Sequence, residues 1–281
     1  MEITPLFASG LALLAAASWG SADFSGGLAA RRSTSVRTVL LSYCVGLAAT
    51  ILIAVVRAEP IPALVDLAWG AAAGLSGMLG VGFLFQAYQA GRMGIASPIS
   101  AVLSTALPVL FNALTQGLPG TLQLIGFGVA LGGIWLLARP EEDSGIRPAG
   151  LGYAVLGGLG FGGFFIGLGQ IGPEAVFWPI VAGRAVSILA VAAFAFVTRR
   201  PMLVRGTPWG LLVLVGVLDV AGNLFFLLAV QNGRLDVTSV LGSLYPAVTV
   251  VLAWLILKER LTRLQVVGVA VALLSIALIT A

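Results

Sequence analysis

The chain has 281 residues, of which 59% are hydrophobic and only 9% charged, with a net charge of +4 and a mean hydropathy of +1.07. Soluble domains carry about 25% charged residues, and the interior of a chain this size cannot absorb so much apolar surface. A soluble fold is excluded and an integral membrane protein expected; the absence of histidine and the lone Cys44 exclude imidazole metal sites, histidine proton relays and an internal disulfide.

Crossing the hydrocarbon core takes about 20 mostly apolar residues. On that measure the sequence predicts an all-α protein of ten transmembrane helices, near 6–29, 36–56, 68–90, 95–114, 121–138, 149–170, 176–197, 208–230, 237–256 and 264–280. The loops between them are short, so no soluble domain is expected. The first span has no basic residue before it and its apolar run continues past Ala22, so it reads as a retained helix and not a cleaved signal. It carries Trp19 and Asp23, four residues apart and so on one face. Trp19 lies deep enough to stack on a planar substrate, whereas Trp69, Trp178 and Trp209 fall near helix ends, where an interfacial belt explains them.

The third span carries Gln86 and Gln89 on one face, with Tyr88 beside them. The fourth carries Ser97, Pro98, Ser100, Ser104, Thr105, Pro108 and Asn112. A proline frees a backbone carbonyl one turn earlier, which hydrocarbon tolerates only against protein or a wet cavity. The competing reading for each serine is a hydrogen bond within its own helix.

The sixth span contains "GGLGFGGFFIGLGQIG", residues 157–172, which holds Gly-x-Gly-x-x-Gly twice. The dinucleotide fingerprint needs a strand before it, a helix after it and an acidic ribose partner about 20 residues on. Here Tyr153 to Ile171 holds no charge, and Arg184 is the nearest ionisable group in that range. No cofactor is expected; Gly158/Gly162 and Gly163/Gly167 instead have the small-xxx-small spacing of close helix packing.

The seventh span carries Arg184, and the eighth carries Asp219 with Asn223 four residues on. The ninth carries Thr238, Ser239, Ser243, Tyr245 and Pro246. Hydrocarbon penalises ionisable groups by several kcal/mol unless they are paired or hydrated, so Asp23, Arg184 and Asp219 mark a candidate site. Their structural alternatives are an Asp219–Arg184 ion pair and an interface pairing of Asp23 with Arg31 or Arg32.

Shifted by 142 residues, the two halves align without a gap. Gly74 falls on Gly216, Gly80 on Gly222, Gln89 on Gln231, Gly91-Arg92 on Gly233-Arg234 and Gln123 on Gln265. The polar identities argue against a chance match of apolar helices. Two five-helix units are expected, 1–140 and 149–281. Because five is odd, the second enters the membrane inverted, the arrangement in which a central site opens alternately to each side.

The stretches "SWGSADFSGGLAARR" (18–32) and "SLYPAVTVVLAWLILKERLTRLQVVGVAVALLSIALI" (243–279) resemble the EamA-type transporters of the drug/metabolite transporter superfamily, and the doubled unit extends the likeness over nearly the whole chain. The resemblance implies export or exchange of small metabolites, amino-acid-like or drug-like, across the cytoplasmic membrane. It also implies a central cavity lined by spans 1, 3, 4, 6, 8 and 9. One departure is that the turn matching Lys258-Glu259-Arg260-Leu261 reads Gln116-Gly117-Leu118-Pro119 in the first half.

The expected function is secondary transport, with the lipid bilayer and a small-molecule substrate as partners and protons as a candidate coupling ion through Asp219 or Asp23. A passive facilitator or pore for small solutes is the main alternative. A membrane-embedded lipid enzyme lacks a constellation of catalytic groups, and basic residues at loop ends without interleaved aromatics exclude nucleic acid. On orientation two signals collide. With termini inside, Arg31, Arg32, Arg37, Arg92, Arg139, Arg147, Arg199, Arg200, Arg205, Lys258, Arg260 and Arg263 would face out, and only Arg57 and Arg234 in. The Lys/Arg rule then favours termini outside, whereas the resemblance implies termini inside.

Overall fold

The computed structural model describes residues 5–31, 35–90, 93–137, 148–198, 208–258 and 262–280; within these, the side chains of 5, 30, 31, 35, 85, 88–90, 93–99, 137, 148 and 149 are also outside the description. It is all-helical. The helices are α1 Pro5–Arg31, α2 Ser35–Val56, α3 Leu64–Ala90, α4 Met93–Gln116, α5 Thr121–Leu137, α6 Pro148–Gly169, α7 Phe177–Val197, α8 Trp209–Gln231, α9 Leu235–Gly242, α10 Tyr245–Leu257 and α11 Arg263–Thr280. Among the described residues, 7 stretches are long and apolar enough to cross a membrane, and the protein is a multi-pass membrane protein.

Two elements depart from the spans read in the sequence. The third begins at Leu64, ahead of residue 68, with Asp66 in its first turn; a carboxylate there suits the positive end of the helix dipole but lowers the apolar signal. The ninth is interrupted, as α9 and α10. Pro246 has no N–H for the Gly242 carbonyl, and the chain tightens through Ser243 and Leu244, with ψ of −2° and 2°. The Leu244 N–H donates to the Leu241 carbonyl at 3.2 Å and Ala247 to Leu244 at 3.0 Å.

Packing rests on backbone approach at glycines. The contact pairs give the helix directions. Gly70 meets Pro179 and Gly74 meets Gly183, so α3 and α7 run parallel. Gly233 meets Ala8, Gly222 meets Trp19 and Gly26 faces Val215, so α1 and α8 run antiparallel, as do α5 and α11 through Gly126–Ile279 and Gly133–Ala272. The glycine-rich stretch of α6 presents two small faces. Gly158 and Gly162 lie against Ser100, Leu103 and Leu107 of α4, and Gly160, Gly163 and Gly167 against Gly80, Ser76 and Ala73 of α3. The expected packing role of these glycines is therefore what the fold contains, in mid-helix, with no strand-to-helix turn to hold a pyrophosphate.

Four turns gather at one end of the bundle. The Glu59 carboxylate, from the α2–α3 connection, accepts the N–H groups of Val176, Phe177 and Trp178 at 2.7–3.1 Å, and the Trp178 indole donates to the Glu59 carbonyl at 3.0 Å. The anion thus satisfies the free donors of the α7 N-terminus. Asp66 accepts the Gly172 N–H at 2.8 Å. These contacts make this the clasped end of the bundle.

Candidate functional site

The inner face of α1 organises the site. Its outer row, Leu6, Phe7 and Leu14, is exposed, as lipid-facing residues should be. At about 100° per residue, Asp23 lies half a turn round from Leu14. It is nevertheless exposed, so its carboxylate faces open space on the inward side of the helix. Gly27, next on the same face, has nothing within 4 Å of where a Cβ would stand. Among the described residues Asp23 has no ion-pair partner; Arg32 lies outside the described residues, as does the side chain of Arg31.

One turn toward the clasped end, Trp19 closes this space. Its Nε1–H donates to Asn223 Oδ1 at 3.0 Å. Its ring centroid stands 6.1 Å from Phe164, 5.8 Å from Phe165 and 5.5 Å from Phe226, in the edge-on and tilted arrangements that aromatic quadrupoles favour. Phe226 is fully buried. Trp19 is thus a wall fixed by α6 and α8. Beneath this aromatic floor Phe165, Leu168, Leu227 and Leu235 continue the apolar packing toward the clasped end.

Asp219 pairs with Arg184, whose guanidinium also lies 4.3 Å from the centroid of the Tyr43 ring. Arg184 is the more buried partner, with 7% of its side chain accessible against 25% for Asp219. The pair ties α7 to α8, and the stacked Tyr43 adds α2. Asp219 is thus paired, whereas Asp23 has no ion-pair partner among the described residues.

The other expected residues divide. Ser104 and Thr105 both donate to the Ala101 carbonyl, at 2.9 and 3.0 Å, so they are spent within their own helix. Ser100 and Ser243 are buried with hydroxyls that find no hydrogen-bond partner among the described residues, as are both polar atoms of Asn112; such groups are places for bound water. Tyr245 opens α10, and its carbonyl accepts the Thr249 hydroxyl at 3.3 Å. Gln86 is exposed on the outer row of α3 with Leu75, Leu79 and Gly82, so the structure does not bring it to the inner face of α1. The side chains of Gln89, Ser97 and Pro98 lie outside the described residues.

Sequence reasoning missed the polar groups of the clasped end. Gln231 Nε2 donates to the carbonyls of Gly172 and Ala175 at 2.7 and 3.0 Å. Arg234 donates through Nη2 to the Gly117 carbonyl at 2.9 Å and through Nε and Nη2 to Asp236. The Asp236 hydrogen bond raises the Arg234 pKa further above its already high ordinary value. Asp236 itself is fully buried. The available signal was the repeat, in which Gln231 and Arg234 have identical counterparts.

The model of the EamA-like transporter family matches the chain twice, over residues 6–139 and 148–281. Over 68 residues the chain is 35% identical to a Methanocaldococcus jannaschii protein described as uncharacterized. That match covers 24% of this chain and 50% of the relative, so the chain spans about half of that curated protein's length. A solved crystal structure superposes with a TM-score of 0.79, covering 97% of this chain and 98% of the other at 18% identity, a likeness of fold alone.

Proposed function

The chain belongs to the EamA-like transporter family, and from that premise we propose that it is a ten-span secondary transporter of a small metabolite in the cytoplasmic membrane. Its halves, 1–140 and 149–281, act as inverted repeats that expose one central site alternately to the two sides. The antiparallel α1/α8 and α5/α11 contacts and the parallel α3/α7 contact support this reading, since inversion between five-helix units requires those directions. The cargo is a small amino-acid-like or amphiphilic solute, exported or exchanged. The observation that carries the reading is Asp23, an inward-facing, accessible carboxylate with no ion-pair partner among the described residues, above an aromatic floor. An uncompensated charge at that depth is costly unless it exchanges a proton or binds cargo.

Comparing metabolites released by cells with and without the protein identifies the cargo. Proteoliposomes preloaded with unlabelled cargo are then expected to take up labelled cargo faster than empty ones, because a returning carrier is faster loaded. Equal rates would make the protein a passive pore.

The clasped end is proposed to be cytoplasmic, together with the termini, against the Lys/Arg count. A reporter active only in the cytoplasm, fused after Ala281, is therefore expected to be on. A silent fusion with an active periplasmic reporter would reverse the orientation.

A further inference from the structure

We propose that Gln231 and Arg234 are the latch of the clasped end, closed here and released when the site opens to that side. The proposal rests on the transporter reading above. Glycine contacts gather the inner helices into two packing units. α3, α4 and α6 meet through Gly80, Gly158 and Gly162; α1, α8 and α10 meet through Gly20 and Gly222. Among the described residues, the hydrogen bonds at the clasped end from α8 and the α8–α9 turn to the other unit come from these two side chains. Gln231 grips the α6–α7 turn at Gly172 and Ala175, and Arg234 grips the α4–α5 turn at Gly117.

All three acceptors are backbone carbonyls at turns, which water can satisfy when the latch opens. Asp236, fully buried in the first turn of α9, aims Arg234 through its carboxylate and also accepts the Val237 N–H at 2.8 Å, so the grip is held from the start of that helix. Leu235, between the two elements, packs on Gly169 and is 4% exposed, so the closed latch shuts an apolar seam behind it. At the opposite end Asp23 and Gly27 stand open. In the sequence, Gln89, Gly91 and Arg92 repeat Gln231, Gly233 and Arg234 on the other unit. Helix packing between apolar faces does not require those polar identities; a latch used by each repeat in turn does.

The test uses the full chain in proteoliposomes, with Cys44→Ala and one reporter cysteine at a time, labelled with membrane-permeant N-ethylmaleimide. Leu235→Cys reports the clasped end and Gly27→Cys the open end. With the latch intact, Gly27→Cys should label fast and Leu235→Cys slowly. Gln231→Ala with Arg234→Lys removes the grip while leaving a cation beside Asp236, because lysine lacks the fork that reaches Gly117. Losing these three hydrogen bonds is expected to raise Leu235→Cys labelling at least about tenfold and to slow Gly27→Cys labelling. Unchanged rates, or a rise at both positions as in a loosened fold, would overturn the latch. Opposite shifts in a protein that shows no counterflow would instead overturn the transporter reading and leave the latch standing.

Discussion

Gly74→Val is expected to leave little folded protein in the membrane. A Cβ at position 74 would fall on the backbone of Gly183, and one at position 70 on the backbone of Pro179, with no flexible side chain to move aside. The Ser187 hydroxyl bridges the same contact, its one O–H shared between the carbonyls of Gly74 and Gly183, both at 2.8 Å. Valine would push α3 from α7 and break that bond as well. Overpacking costs about 1–3 kcal/mol where side chains can yield; here about 3 kcal/mol or more is expected, a large part of a marginal stability. Gly128→Val, at an exposed position with nothing within 4 Å, should be silent. Membrane yield and the thermal midpoint of monodisperse protein in detergent compare the two, and equal values would refute the backbone-contact account.

Asp23→Asn is expected to fold normally and to lose flux driven by a pH gradient, falling to the level of empty vesicles. Its carboxylate is accessible and has no ion-pair partner among the described residues, so the amide removes no structural bond. Asp219→Asn should do the reverse. It strips a buried Arg184 of its counter-charge, a change of about 3–5 kcal/mol, and should lower yield before it alters coupling. Measuring both variants in vesicles with an imposed gradient separates the roles. Full pH-driven flux in Asp23→Asn would exclude proton coupling at this position.

The features legible in the sequence were those with a period or a composition. Apolar runs gave the helices, the 142-residue shift gave the doubled unit, and the small-xxx-small spacing in α6 gave its two packing faces. The scarcity of charge made Arg184 and Asp219 an obvious pair to weigh. What escaped were bonds between distant turns. Glu59 reads as a loop acid, because nothing near it in sequence announces the α7 N-terminus that it caps. Gln86 and Gln89 share a helix face by spacing, but spacing alone does not say which way a face points. The break at Ser243–Leu244 was masked by unbroken hydropathy, since hydropathy is blind to a missing N–H at Pro246.

That break also divides one span between two solvents. In α9 every residue but Val237 is buried, and in α10 none is. The second piece is therefore the more open to lipid, while the first is held by protein and anchored by Asp236 and Arg234. A thicker or thinner bilayer changes helix tilt through hydrophobic mismatch, and on this span the piece free to respond is α10. Its junction with α9, at Ser243 and Leu244, lies beside the Trp19 ring that approaches Gly242.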